Sequence, residues 1–378
     1  MNRRLLAGCA AVLGLLVAAG APAGAAAAAA PARVGHLFVI ELENKGYDET
    51  FGPTAPTYLA RTLPSQGALL TQYHGTSHAS LGNYITQISG QAANPQTQAD
   101  CRRYVDVVPG LPAADGQVLG QGCVYPPSVK TLPDQLSAQR KTWRGYMEDL
   151  GADPARSKAP CGSPGNPAPP GVTDPTQSAT ATEQYAARHN PFVYFHSLLD
   201  SGACARNVGP LGGLTKDLHS AAATAHFTWI TPDLCSDGHD APCADGRPGG
   251  LTSANEFLRT WVPRITSSPA FKKDGLLVVT FDEAENQDGS SCCGEPTGPN
   301  TPMPGITGPG GGRTGAVLLS PFIRPGTRTD VPYDHYSALR SYEDLLGIRT
   351  GGTDGKGHLG YAARAGMVTF GRDVFTAR

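Results

Sequence analysis

Apolar residues along this chain gather into short continuous runs, each closed by polar or glycine-rich residues. HLFVIELE at 36–43, PFVYFHSL at 191–198, HFTWIT at 226–231, GLLVVTFDE at 275–283 and GAVLLSPFI at 315–323 read as buried strands. Between them the spacing changes to a helical period in SVKTLPDQLSAQ (128–139), SANEFLRTWVPRI (253–265) and YSALRSYEDLLGI (336–348). Continuous apolar strands alternating with helices predict an α/β fold, a largely parallel central sheet flanked by helices. A further short helix is predicted in SHASLGNYITQISG at 77–90, just after the β-like run Ala68–Tyr73. Its apolar residues Leu81, Tyr84, Ile85 and Ile88 share one face, and Gly90 stops it. Trp143, Trp229 and Trp261 lie in apolar patterns and are expected in the core.

Ser80 falls at or beside the N-cap of that helix. One reading makes its hydroxyl a cap that accepts a backbone N–H. The other makes it a nucleophile at the positive end of a helix, where an anion is welcome. The two readings are compatible.

The first 30 residues are expected to be removed. Arg3 and Arg4, an apolar run from Leu5 to Ala19 and small residues with A-x-A sites form a secretory signal peptide. Leu6-Ala7-Gly8-Cys9 spells a lipobox but precedes the apolar run, so lipidation of Cys9 is not expected. No later stretch reaches the ~20 apolar residues of a membrane span. The mature chain is therefore expected outside the cell or in the wall, without a stable membrane anchor. Leaving out Arg3 and Arg4, 28 of the 30 basic residues face 32 acidic ones, a formal charge of −4. That balance argues against nucleic acid as a partner. An anionic substrate would need a local device, such as a metal or a helix end.

Residues 31–378 are expected to form one catalytic domain with long surface loops at 151–182 and 286–313, both rich in Pro and Gly. Cysteines within them favour pinned loops over free linkers. Eight cysteines follow the leader, an even number that in an exported chain implies disulfides. Adjacent Cys292 and Cys293 are not expected to pair with each other, because the ring would be strained. No C-x-x-C is present to favour zinc.

Ligands of open parallel sheets gather at the carboxyl ends of strands. Two predicted strands end in hard oxygen donors, Glu43-Asn44 and Asp282-Glu283, and a third runs into Asp233, Asp237, His239 and Asp240. Any one of these pairs could simply close a turn. Together, three carboxylates and an amide oxygen suit one divalent cation, with Mg²⁺, Ca²⁺ or Mn²⁺ favoured over a thiol-loving metal. Beside Ser80 such a charge favours a serine oxygen attacking a phosphate ester, and His239 is placed to protonate the leaving oxygen.

HLFVIELENKGYDETFG, SHASLGNYITQISG, TWRGYMEDL, RHNPFVYFHSL, TWITPDLCSDGHD, LLVVTFDEAEN and YDHYSALRSYEDLLGI occur in this order. They resemble the blocks of the bacterial and fungal acid phosphatase/phospholipase C phosphoesterase family, within the alkaline phosphatase superfamily. The resemblance runs from about residue 36 to 348 and is greatest to secreted acid phosphatases, including those acting on phosphoinositides. It implies an alkaline-phosphatase-like fold, a metal held by Glu43, Asn44, Asp282 and Glu283, Ser80 as nucleophile and His239 on the phosphate. It also implies Asn83 and His189 near the substrate; His335 falls in a recurring block and is expected to orient the last helix. One departure is visible. The usual H-P-S-x-P-N-Y reads His78-Ala79-Ser80-Leu81-Gly82-Asn83-Tyr84, without either proline.

The expected function is a secreted metal-dependent phosphomonoesterase of acid phosphatase type, with a phosphoserine intermediate and a small phosphate ester or phosphoinositide as substrate. The nearest alternative is a phospholipase C-type phosphodiesterase, which should show an exposed apolar rim; the long loops read as polar. A second alternative is a catalytically silent protein that binds phosphate esters.

Overall fold

His36–Leu42 (β1) is buried along its whole length, as a central strand covered on both faces must be. The computed structural model describes residues 34–164, 172–294 and 296–375, and the expected signal peptide lies outside them. The other strands of the main sheet are Ala68–Leu70 (β2), Trp143–Met147 (β3), Val208–Pro210 (β4), Phe227–Thr231 (β5), Gly275–Phe281 (β6), Ala316–Leu319 (β7) and Thr327–Thr329 (β8). Their order across the sheet is β8-β2-β7-β6-β1-β5-β3-β4. β7 runs antiparallel to both neighbours; every other pairing is parallel. The largely parallel sheet expected from the apolar runs is present.

Alternate residues of β1 face opposite layers. Leu37 and Val39 join a core with Leu81, Tyr84, Ile85 and Ile88 of the helix Ser80–Ser89 (α1) and Leu339 and Tyr342 of His335–Leu345 (α4). Phe38, Ile40 and Leu42 face Phe257, Leu258, Trp261 and Ile265 of Gly250–Ser267 (α3). Leu132–Ala138 (α2) starts with a reciprocal Thr131–Asp134 capping box. All three tryptophans are buried. No helix among the described residues is long and apolar enough to cross a membrane.

The run PFVYFHSL is not a strand. It forms a 3-10 turn over Pro191–Tyr194 and a short helix over His196–Leu199. Pro191 has no N–H for a ladder, and Asn190 Oδ1 accepts the Phe192 amide (3.3 Å), which turns the chain. Phe192 to Phe195 are all fully buried, so the apolar run marked burial and not extension. β3, beside β5, was obscured by Arg144 within it.

Cysteines pair as Cys101–Cys123, Cys161–Cys204, Cys235–Cys243 and, against expectation, Cys292–Cys293. The last pair is accommodated with Cys293 in a left-handed backbone conformation (φ 68°).

Candidate active site

Parallel pairing places Leu42 of β1 opposite Phe281 of β6. The next residues of each strand are therefore neighbours, which brings Glu43 beside Asp282. The ladder continues past the strands, with the Asp282 amide donating to the Leu42 carbonyl (3.0 Å) and the Glu43 amide to the Asp237 carbonyl (2.9 Å). Asn44 turns the chain with a left-handed backbone (φ 52°), a conformation asparagine tolerates. Its amide donates to Asp282 Oδ1 (3.1 Å), which also accepts the Glu283 amide (2.7 Å).

Ser80 stands on this floor. It is the first helical residue of α1; Ala79 is the N-cap, and its own side chain makes no capping bond. The capping role is thus not the one its hydroxyl performs. Ser80 Oγ instead donates to Glu43 Oε2 (2.7 Å), and the Tyr84 hydroxyl donates to Glu43 Oε1. His78 Nδ1 bonds Glu283 Oε2 (2.7 Å), and its Nε2 reaches the Asp288 carbonyl (3.1 Å). Gly82 occupies the position of the second missing proline. A Cβ there would lie 2.3 Å from Ser77 Oγ, so a proline ring fits only if Ser77 moves.

The remaining sequence-derived residues divide into two groups. Asn83 is fully buried: Oδ1 accepts the Thr76 and Ser77 amides, and Nδ2 donates to the Ser77 carbonyl and Glu283 Oε2. It holds the turn before Ser80 and points its amide at the floor. His335 does the same from α4, donating Nε2–H to the Asp282 carbonyl (2.6 Å) and accepting the Tyr73 hydroxyl at Nδ1 (3.0 Å). His189, stacked on Tyr84, lies between Glu43 Oε2 (3.2 Å) and Asp237 Oδ2 (3.3 Å). Neither contact has hydrogen-bond geometry. His239 is about one-third exposed, with Nδ1 held by Asp240 Oδ1 (2.7 Å) and its amide by Asp237 Oδ1 (2.7 Å). Lys45 and Arg313 bind surface acids, Glu49 and Asp48, and Arg313 also covers the Tyr47 ring. Sequence reasoning passed over Tyr84, Asp100 and Arg188. The usable signal for Arg188 was its place next to His189.

The Phosphoesterase family matches residues 54–349, well over half of the sequence. The chain belongs to the Phosphoesterase family. It is similar to a probable acid phosphatase of Kluyveromyces lactis, 24% identical over 310 residues that cover 81% of this chain and 57% of that protein. A phosphate-repressible acid phosphatase of Penicillium chrysogenum is 24% identical over 310 residues, 82% of this chain and 58% of its own length. The chain spans little more than half the length of these relatives. Among solved structures it is similar to a Vibrio parahaemolyticus protein in the alkaline phosphatase superfamily, with 11% identity, a TM-score of 0.44 and coverage of 84% of this chain and 67% of that one.

The floor of this site carries more negative charge than burial tolerates. Burial, then Asp282 and Asp237, holds the Glu43 carboxyl well above the usual carboxylate range. Burial pushes Asp282 up to about 6 and, with Asp282, raises Glu283 well above its ordinary value. Buried carboxylates are stable only with a proton or a cation to offset them. Two observations fit a cation. Asp282 Oδ2 is buried with no hydrogen-bond partner. The Asn44 side-chain oxygen, as placed, faces Asp282 Oδ1 and Glu283 Oε1 at 3.2 Å, and turning the amide over would make its nitrogen a donor to both. A cation between them satisfies the oxygen where it stands. Glu43, His189 and Asp237 form a second candidate group, with ligand atoms within 4.8 Å of one another.

Proposed function

We propose that this chain is a secreted, divalent-metal-dependent phosphomonoesterase of acid phosphatase type that works through a phosphoserine at Ser80. The carrying observation is the Ser80 hydroxyl, aimed at Glu43 above converging oxygen donors from two strand ends. The names of the fungal relatives support the reaction class. Glu43, Asn44, Asp282 and Glu283 would hold the cation, and their all-oxygen chemistry suits Mg²⁺, Ca²⁺ or Mn²⁺. The bound cation supplies charge stabilisation for the serine oxygen and for the phosphoryl group.

The protein's own part follows from the hydrogen bonds. Ser80 Oγ forms the new bond to phosphorus while its proton passes to Glu43 Oε2, already its acceptor. The P–O bond to the leaving group breaks in line. His239, with its ring fixed through Nδ1 by Asp240, presents Nε2 to protonate the departing oxygen. Water then attacks the phosphoserine, its proton passing to His239, which gave one up to the leaving oxygen; the Oγ–P bond breaks, Glu43 returns the proton to Ser80 Oγ, and phosphate leaves. The substrate is a small phosphate ester or the headgroup phosphate of a phosphoinositide. Treatment with EDTA should abolish hydrolysis of p-nitrophenyl phosphate, and one of the three cations should restore it. Full activity in EDTA would refute metal dependence.

One observation favours the phosphodiesterase reading. Large exposed apolar side chains sit on the hairpin of Val108–Pro112 and Val118–Gln121 (Val108, Leu111 and Leu119) and on the loop 286–313 (Met303 and Ile306). Asn300 joins the two through the Gly120 amide and the Val118 carbonyl. The loop 286–313 is therefore less polar than the sequence implied. Assays of p-nitrophenyl phosphate and phosphatidylcholine side by side separate the readings: phosphocholine released without free phosphate would favour the diesterase.

A further inference from the structure

Two charged groups at the mouth have no part in the reaction derived above. Arg188 is 5% exposed, yet its one hydrogen bond among the described residues runs from Nη1 to the Gln177 carbonyl (3.1 Å). Its Nε lies 3.9 Å from Asp100 Oδ2, the outer limit of an ion pair. A guanidinium carries five donors, and burial makes unsatisfied donors costly. Arg188 is therefore short of acceptors where it stands.

Asp100 sits where an acceptor would be wanted. Its Oδ1 accepts the amide of Leu81 (3.1 Å), the residue after Ser80. The carboxylate thus takes a first-turn amide of α1, the place a helix offers to an anion. Burial raises its carboxyl above the usual carboxylate value, while Arg188, the Leu81 amide, His239 and Arg102 pull it back towards the ionised form, and its charge reaches Glu283 on the floor. The backbone holds it there. Asp100 and Cys101 are both left-handed (φ 52° and 50°), Cys101 is bridged to Cys123, and Gln177 Nε2 donates to the Asp100 carbonyl (2.9 Å).

We propose that the Asp100 carboxylate occupies the seat of a phosphoryl oxygen, and that the substrate takes Arg188 and the Leu81 amide from it. Arg188 is then a phosphate-binding residue. Asp100 is a specificity-determining residue that competes with the anion and weakens the hold on inorganic phosphate, the product. The inference rests on the phosphoesterase reading of the same site and adds the groups that receive the phosphate.

Calorimetric titration of inorganic phosphate into the metal-loaded full chain tests it, with wild type, Asp100→Asn, Arg188→Gln and the double variant. A charge-assisted hydrogen bond of about 1.5–3 kcal/mol corresponds to at least about a tenfold change in binding. Asp100→Asn should therefore bind phosphate about tenfold more tightly and Arg188→Gln about tenfold more weakly. In the Arg188→Gln background the gain from Asp100→Asn should largely disappear. If Asp100→Asn does not fold, Asp100→Ser carries the same expectation. An Asp100 variant that melts like wild type but binds phosphate no more tightly overturns the proposal, as does a gain independent of Arg188. Absence of phosphate binding in all four proteins overturns it too. Hydrolysis is measured separately: variant effects on binding without any turnover in wild type would remove the enzymatic reading and leave this one standing.

Discussion

The floor and the mouth of the site are built by different means. Glu43 and Asp282 meet because β1 and β6 are hydrogen-bonded neighbours in parallel register. Asp100, Arg188 and His239 meet because covalent ties hold three loops. Asp100 precedes the half-cystine Cys101, and His239 lies between Cys235 and Cys243. Asn190, two residues after Arg188, donates to the carbonyl of Cys161, itself bridged to Cys204. A floor set by a buried ladder keeps its geometry while the core holds. A mouth set by short loops can change its residues without disturbing the sheet.

The sharpest way to divide the two regions is through Ser80. Ser80→Ala should cut turnover by about 10⁴-fold or more and leave the melting temperature within a few degrees, since the hydroxyl caps nothing. Retention of most of the rate would leave the serine with only a local role. Next in size, Asp282→Asn should lower the apparent metal affinity by at least about 10–100-fold, the scale for altering only the partners around a ligand. Excess cation should restore part of the rate. If metal titration curves are unchanged, the floor does not hold the ion.

Opening the mouth should read differently. Replacing Cys235 and Cys243 by serine releases a bridge of sequence separation 8 and should cost about 2.5 kcal/mol of stability by loop entropy. KM should rise several-fold with metal affinity unchanged. Equal damage to metal binding would mean that floor and mouth are one unit.

The smallest effect concerns Glu148, which follows β3 and accepts the Asp233 amide (3.0 Å) behind the mouth loop. Burial, then Asp233, raises its carboxyl from 4.5 to about 7. Between those values the folded protein binds the extra proton, so stability is highest below about 4.5 and falls as pH rises towards 7. Glu148→Gln keeps an acceptor and removes the titration. It should melt like wild type near pH 4 and a few degrees higher near pH 8. An equal difference at both pH values would exclude Glu148 as the source.

Legibility followed the same division. The ends of β1 and β6 could be read because a continuous apolar run that stops at Glu-Asn or Asp-Glu marks both a buried strand and its polar end. PFVYFHSL misled because apolar content reports burial, whereas Pro191 and Asn190 decide the backbone. Asp100 and Arg188 were illegible: each sits in an ordinary polar segment, and their meaning lies in a contact across 88 residues.

The sequence by itself determined the strands β1, β5, β6 and β7 and the helices α1 to α4, where oxygen donors follow a strand and that Ser80 opens a helix, because periodicity and capping are properties of a few adjacent residues. Only the tertiary structure decided that β1 lies next to β6, that Ser80 donates to Glu43 and not to its own helix, and that a carboxylate waits beside Arg188. Those facts depend on strand order and on side chains meeting across the core, which no local pattern encodes.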